Sequence, residues 1–288
     1  MMYLLLSILG STSIYVLFKW YSLRRIRTFQ AIVANYLVAA TVGYAMSGGF
    51  DWRTIAEAPW LWAGVLTGLL FISLFYLMAF TSQRYGVSPT SVASKMSMLL
   101  PVAWFMLTDP DEEPTLIRVG AIVLGAAAVV LATSRERRSG PSSETPWALL
   151  VLFAGTGLLD LLLAHTEKHL LTTPEATDAF AMVPFFTAFS TGAVLLSRNV
   201  AVTRERLHAP SLLAGVALGI VNYASIYFLL KALGSGFMTR SAMLPANNMG
   251  IVAASALAGV LLFRERLSAM NLVGIALALG AIALLSHD

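Results

Sequence analysis

Cysteine is absent from all 288 residues, so the chain has no disulfide, no thiolate metal site and no cysteine nucleophile. Charge is scarce as well. Asp, Glu, Lys and Arg make up 12% of the chain, against about 25% in a soluble domain. Enzyme signatures are missing: there is no H-E-x-x-H, no G-x-S-x-G, no P-loop and no paired intramembrane aspartates. No catalytic residue is assigned, and a polytopic membrane enzyme is the least favoured reading. His165, Glu167, Lys168 and His169 trail one apolar run without a third ligand group nearby, so they read as a solvated helix end and no metal is assigned. Nothing calls for a cofactor. The net charge of +4 is not a nucleic-acid signal, because the arginines sit in short loops between apolar runs.

What the chain has instead is hydrophobic length: 58% of its residues are apolar. A membrane-spanning helix needs about 20 mostly apolar residues. The sequence predicts ten, near Tyr3–Phe18, Phe29–Met46, Pro59–Thr81, Pro89–Leu107, Leu116–Thr133, Trp147–Leu163, Ala179–Leu196, Ser211–Lys231, Phe237–Phe263 and Ala269–Leu285. No Lys or Arg precedes the apolar start, so it reads as a retained first span and not as a secretory signal. The one linker-like stretch, 134–146, lies near the middle and divides the chain into 1–133 and 147–288.

The halves resemble each other. A-G-V-L-T-G-L-L-F-I-S-L-F-Y in the third span (Ala63 to Tyr76) aligns without a gap with A-G-V-A-L-G-I-V-N-Y-A-S-I-Y in the eighth (Ala214 to Tyr227). V-G-A-I-V-L-G-A in the fifth answers V-G-I-A-L-A-L-G-A in the tenth. Gly10-Ser11 answers Gly155-Thr156, and Gly43 answers Gly192. After five crossings the second copy starts from the opposite face, so the copies are inverted. Inverted repeats around a central cavity are a hallmark of secondary transporters. The expected fold is therefore an all-α polytopic membrane protein with two inverted five-helix repeats. Thirteen Lys and Arg residues follow odd-numbered spans and five lie on the other side, which predicts cytoplasmic odd loops and both termini outside. The acidic cluster Asp109, Asp111, Glu112 and Glu113 falls on the outer side.

The chemistry is carried by polar residues inside apolar spans, where lipid supplies no hydrogen bond. Asn247 and Asn248 follow Pro245 in the ninth span, beyond a Gly234-Ser235-Gly236 turn. They are either a solute site or polar glue between helices. Lys95 shares one face of the fourth span with Ser88, Ser91 and Met98, and Pro101 follows. It can hold a substrate carboxylate or phosphate, pair with a structural carboxylate, or snorkel to the interface. Asp160, deep in the sixth span, is its natural partner, a proton-coupling group, or half of a static ion pair. Asn222 and Tyr223 follow Gly215 and Gly219, whose lack of side chains lets helices approach closely. Arg240 shares a face with Leu244 and Asn247 but sits near the span's start, where snorkelling is expected.

This pattern resembles the drug/metabolite transporter superfamily, in its EamA-like branch of ten-helix bacterial transporters. The resemblance covers nearly the whole chain. It rests on the paired five-span repeats, on G-V-L-L-F-R-E-R-L-S (Gly259 to Ser268) and on V-G-I-A-L-A-L-G-A. F-Q-A-I-V-A-N-Y (Phe29 to Tyr36), V-A-S-K-M-S (Val92 to Ser97), N-Y-A-S-I-Y-F-L-L-K-A-L and N-N-M-G-I-V add to it. In the first copy the F-R-E-R-L-S motif is replaced by T-D-P-D-E-E-P, so the copies need not play equal roles. The resemblance implies a basket of helices whose cavity is lined by spans one, three, four, six, eight and nine. Lys95, Asp160, Asn222 and Asn247 fall on such spans. It also implies a solute class as broad as amino acids, sugars, nucleotide sugars and cationic drugs.

The sequence thus predicts a secondary active transporter of a small polar organic metabolite, a monomer or homodimer in the inner membrane. The alternative is a proton-coupled exporter of cationic drugs, with H+ as the coupling ion and Asp160 unpaired.

Overall fold

The computed structural model describes residues 1–46, 52–108, 115–133, 147–203, 206–233, 235 and 240–285. The linker 134–146, the acidic cluster at 109–113, Gly234, Gly236 and the Arg240 side chain lie outside the described residues. Among the described residues all regular structure is helical: α1 (Met2–Leu23), α2 (Thr28–Met46), α3 (Trp52–Ala56), α4 (Leu61–Arg84), α5 (Val87–Met96), α6 (Leu99–Thr108), α7 (Leu116–Thr133), α8 (Trp147–His169), α9 (Pro174–Thr203), α10 (Ala209–Leu233), α11 (Arg240–Phe263) and α12 (Ala269–Leu285). A helix satisfies its own backbone groups, which is why apolar runs of this length adopt it away from water.

Among the described residues, seven segments are long and apolar enough to cross a bilayer: Met2–Leu23, Leu61–Arg84, Val87–Thr108, Trp147–His169, Ala179–Val202, Ala209–Ala232 and Met243–Phe263. Leu116–Leu131 and Ala269–Leu284 are shorter apolar helices. Large apolar side chains such as Val194, Leu213, Leu257 and Leu261 stand mostly exposed. On a water-soluble protein such surfaces would drive association; on a bilayer protein they are the lipid-facing side. The chain is a helical membrane protein.

The helices form two compact units, and each takes residues from both sequence halves. The first unit comprises Met1–Trp20, Met78–Leu158 and Ala224–Asp288. Its core joins Val92, Met96 and Leu99 to Ala128 and Val129 of α7, Val252 of α11, and Ile275, Ala278 and Ile282 of α12. A capping box starts α12: the Asn271 N–H donates to Ser268 Oγ at 3.2 Å, and the Ser268 N–H donates to Asn271 Oδ1 at 3.1 Å. Asn271 Nδ2 also donates to the Leu131 carbonyl at 3.3 Å, tying α12 to the end of α7.

The second unit comprises Tyr21–Leu77 and Leu159–Tyr223. Ile55, Trp60, Ala63, Ala179, Phe180, Met182 and Val183 form its core. Two glycine seams hold it. A Cβ on Gly64 would lie 2.9 Å from Val183 Cγ1, and one on Gly68 would lie 2.6 Å from the Pro184 carbonyl, both on α9. A Cβ on Gly215 would lie 2.3 Å from the Ala31 carbonyl, and one on Gly219 would lie 2.9 Å from the Asn35 carbonyl, both on α2. Of the glycines that align between the third and eighth spans, Gly68, Gly215 and Gly219 are points where backbones touch, and Gly64 makes room for the Val183 side chain. At one end of this unit Gln30 fixes the connection into α10: its Oε1 accepts the His208 N–H at 2.8 Å and its Nε2 donates to the Arg206 carbonyl at 3.3 Å.

Candidate solute site

The fourth span is not one helix. It stops at Met96 and restarts at Leu99. Pro101 explains the place: its ring removes the N–H that would bond to Ser97 and crowds that carbonyl. Leu100 N–H takes the Ser97 carbonyl instead, at 2.9 Å, in a tighter turn. The single face expected for Ser88, Ser91, Lys95 and Met98 is thus interrupted, with Met98 in the break. Pro245 has no such effect. It lies in the second turn of α11, which continues through it to Phe263, so the prolines at matching depths act differently.

α5 carries the polar load. Ser88, Thr90, Ser91 and Ser94 are buried, and Lys95 is half-buried in its last turn. Two of the buried hydroxyls are satisfied locally: Thr90 Oγ1 donates to the Gly86 carbonyl at 2.7 Å, and Ser91 Oγ donates to the Ser88 carbonyl at 2.8 Å. Ser97 Oγ donates to the Ser94 carbonyl at 2.7 Å. These inward bonds leave Lys95 as the strong donor next to the break.

α11 packs against α5 in the same unit. Asn248 reaches the break, its Nδ2 donating to Met98 Sδ at 3.3 Å. Sulfur is a weak acceptor. Asn247 is 4% exposed, and its Oδ1 has no hydrogen-bond partner among the described residues. A buried, unsatisfied amide oxygen costs about 1–3 kcal/mol. The structure thus brings Lys95, Asn247 and Asn248 into one unit around a discontinuous span, the construction on which membrane solute sites are built.

Asn222, Tyr223 and Asp160 belong to the second unit. Asn222 Nδ2 donates to Asn35 Oδ1 at 3.2 Å, with both residues buried. Asn35 was missed in the sequence, although an amide in an apolar run is the same signal that singled out Asn247. Its Nδ2 has no partner among the described residues, and neither has Thr67 Oγ1; both residues are fully buried. Tyr36 follows Asn35 into an aromatic layer, 5.6 Å from the Phe75 ring and 6.4 Å from that of Phe185. Tyr223 and Asp160 are half-buried on α10 and α8. His165 and His169 face one another at 4.6 Å between ring centroids on the last turns of α8. A cavity of about 440 Å3 opens at one end of this unit, lined by Arg53, Glu57, Trp60, Leu170 and Thr172 among others. None of the predicted site residues lines it, and it is open to the surface; the buried amides are the better guide to a solute.

No protein-family model matches the chain. A relative from Haemophilus influenzae, described only as an uncharacterised protein, is 26% identical over 286 residues, spanning 97% of this chain and 95% of that one. A crystal structure of a protein 16% identical in sequence superposes with a TM-score of 0.60, covering 98% of this chain and 94% of its own. The chain therefore shares its fold, end to end, with a solved structure.

Proposed function

We propose that this protein is a secondary active transporter of a small polar organic metabolite, built from two inverted five-span repeats of EamA-like kind in the inner membrane. The observation that carries the reading is the broken fourth span, with Lys95 beside the break and the Asn247–Asn248 pair on the helix packed against it. A discontinuous helix whose neighbour carries an unsatisfied amide oxygen is an arrangement that a polar solute would complete. A solute with a hydrogen-bond donor would satisfy Asn247, and a carboxylate would suit Lys95. Together they favour a zwitterion or an anion.

Packing within the second unit supports the repeat. Its glycine seams join spans three to seven and eight to two. Those are equivalent pairs if spans one to five duplicate as six to ten. The count of ten takes the seven long apolar segments and adds the 19-residue α2 and the shorter apolar helices α7 and α12.

The deciding experiment is a thermal-shift screen of purified protein against metabolites, because a ligand raises the melting temperature of the state it binds. Compounds that stabilise wild-type protein but not Lys95→Ala should then move across proteoliposome membranes. Product formation without movement would make the chain an enzyme. Uptake of lipophilic cations driven by a proton gradient and lost in Asp160→Asn would favour the proton-coupled exporter.

A further inference from the structure

The N-terminus of α5 is capped from 178 residues away. Glu265 Oε1 accepts the Val87 N–H at 2.6 Å, and its Oε2 accepts the Ser88 N–H at 3.3 Å and the Ser88 hydroxyl at 3.0 Å. A carboxylate suits the positive end of a helix. Ordinarily such a cap comes from the residue just before the helix. Here that residue is Gly86, which has φ of 113° and no side-chain cap.

The space is cleared for this carboxylate. A Cβ on Gly86 would stand 2.7 Å from Glu265 Oε1, and one on Gly259 would stand 2.3 Å from Oε2. Glu265 itself is fixed by its N–H, which donates to the Gly259 carbonyl at 3.0 Å just after Arg264, at φ of 52°. Lys19 of α1 is close enough for its charge to act on Glu265, while its Nζ donates to the Gln83 carbonyl at 2.8 Å. One carboxylate therefore gathers α1, the turn before α5, and the α11–α12 connection.

A local cap stabilises a helix wherever the helix goes. A remote cap does so only while the two elements stay together. α5 is a ten-residue half-helix, with a glycine turn at one end and the proline-induced break at the other. Its N-terminus is thus held by a bond that a small shift of the α11–α12 connection would release.

We propose that Glu265 is a latch that closes this end of the first unit, holding the polar half-helix α5 against α11 and opening when solute passes. The proposal rests on the transporter reading, but its test needs no solute. Because the chain has no cysteine, Ser91→Cys places a single thiol one turn inside the latch. Labelling by a membrane-impermeant maleimide should be slow in that background. It should quicken at least tenfold with Glu265→Gln, and only from the side bearing residues 264–266. Gly259→Ala reaches the same end by another route, because its methyl evicts an intact carboxylate. Either variant, if monodisperse and cooperatively melting, decides the matter. Unchanged labelling, or equal acceleration from both sides, would show a static cap or general loosening and overturn the latch. Failure of the metabolite screen would leave the labelling result standing.

Discussion

Asn222 donates its side-chain amide to the side-chain oxygen of Asn35, across the seam where Gly219 lets α10 touch α2. Asn35 only accepts in this bond, and its own Nδ2 group has no partner among the described residues. The pair therefore links the two helices and still has one donor to offer.

That half-satisfied state sets the first prediction. Asn222→Leu should strand Asn35 and destabilise the protein by about 1–3 kcal/mol. Removing both amides with Asn35→Leu and Asn222→Leu should recover part of that loss, since neither polar group is then stranded. Denaturant or thermal unfolding in detergent reads the cycle. If the amides serve a solute, the double variant should be stable yet inactive.

The glycines divide into two kinds. Gly68→Ala and Gly215→Ala would push a methyl into the backbone carbonyls of Pro184 and Ala31. Each should cost about 1–3 kcal/mol as overpacking. Gly43 and Gly120 have nothing within 4 Å of an added Cβ. Alanine at either should be neutral or stabilise the helix by up to about 1 kcal/mol. Melting temperatures of the four variants separate the seams from the spacers.

Pro101→Ala supplies the missing N–H and removes the ring that crowds the Ser97 carbonyl. A proline in a helix interior costs about 3 kcal/mol relative to alanine, so this variant should melt no lower than wild type and a continuous fourth helix should form. Transport should fall, because the break beside Lys95 would close. A destabilised Pro101→Ala protein would mean that the break is needed for packing instead.

Orientation is predicted from the distribution of Lys and Arg. Reporter fusions at Ser142 and at the C-terminus should place residue 142 in the cytoplasm, in the loop after the fifth span, and the C-terminus outside. A cytoplasmic C-terminus would reverse the orientation and leave the fold untouched.

The sequence disclosed the helical membrane class because spanning helices must be long and apolar, and that shows in any window of the chain. It disclosed the glycine seams through the alignment of Gly64 and Gly68 with Gly215 and Gly219. It pointed to Lys95, Asn247 and Asn222 because a polar group amid apolar neighbours is conspicuous. It pointed to Pro101 but not to the consequence, since the proline at 245, in the second turn of α11, leaves that helix intact. The two prolines look alike in the sequence, and only the backbone conformation around each tells them apart. The partnership of Glu265 with Val87 was out of reach. It joins segments far apart in the chain through backbone N–H groups, and no residue type marks a backbone donor. The division of the helices into two units, each drawing segments from both halves of the sequence, is equally a property of tertiary contact, with Lys95 in one and Asp160 in the other.

The break in the fourth span bears on how the protein is made. Ten residues of helix rise only about 15 Å, half the thickness of a bilayer's hydrocarbon core. α6 is apolar enough to enter lipid unaided, whereas α5 is rich in Ser and Thr and carries Lys95. Of its partners, α7 follows about 20 residues after it, whereas α11 and Glu265 are synthesised more than 140 residues later. The segment Val87–Thr108 is apolar enough to enter the membrane beside α7, but the cap on the polar N-terminus of α5 is completed only when the last quarter of the chain arrives.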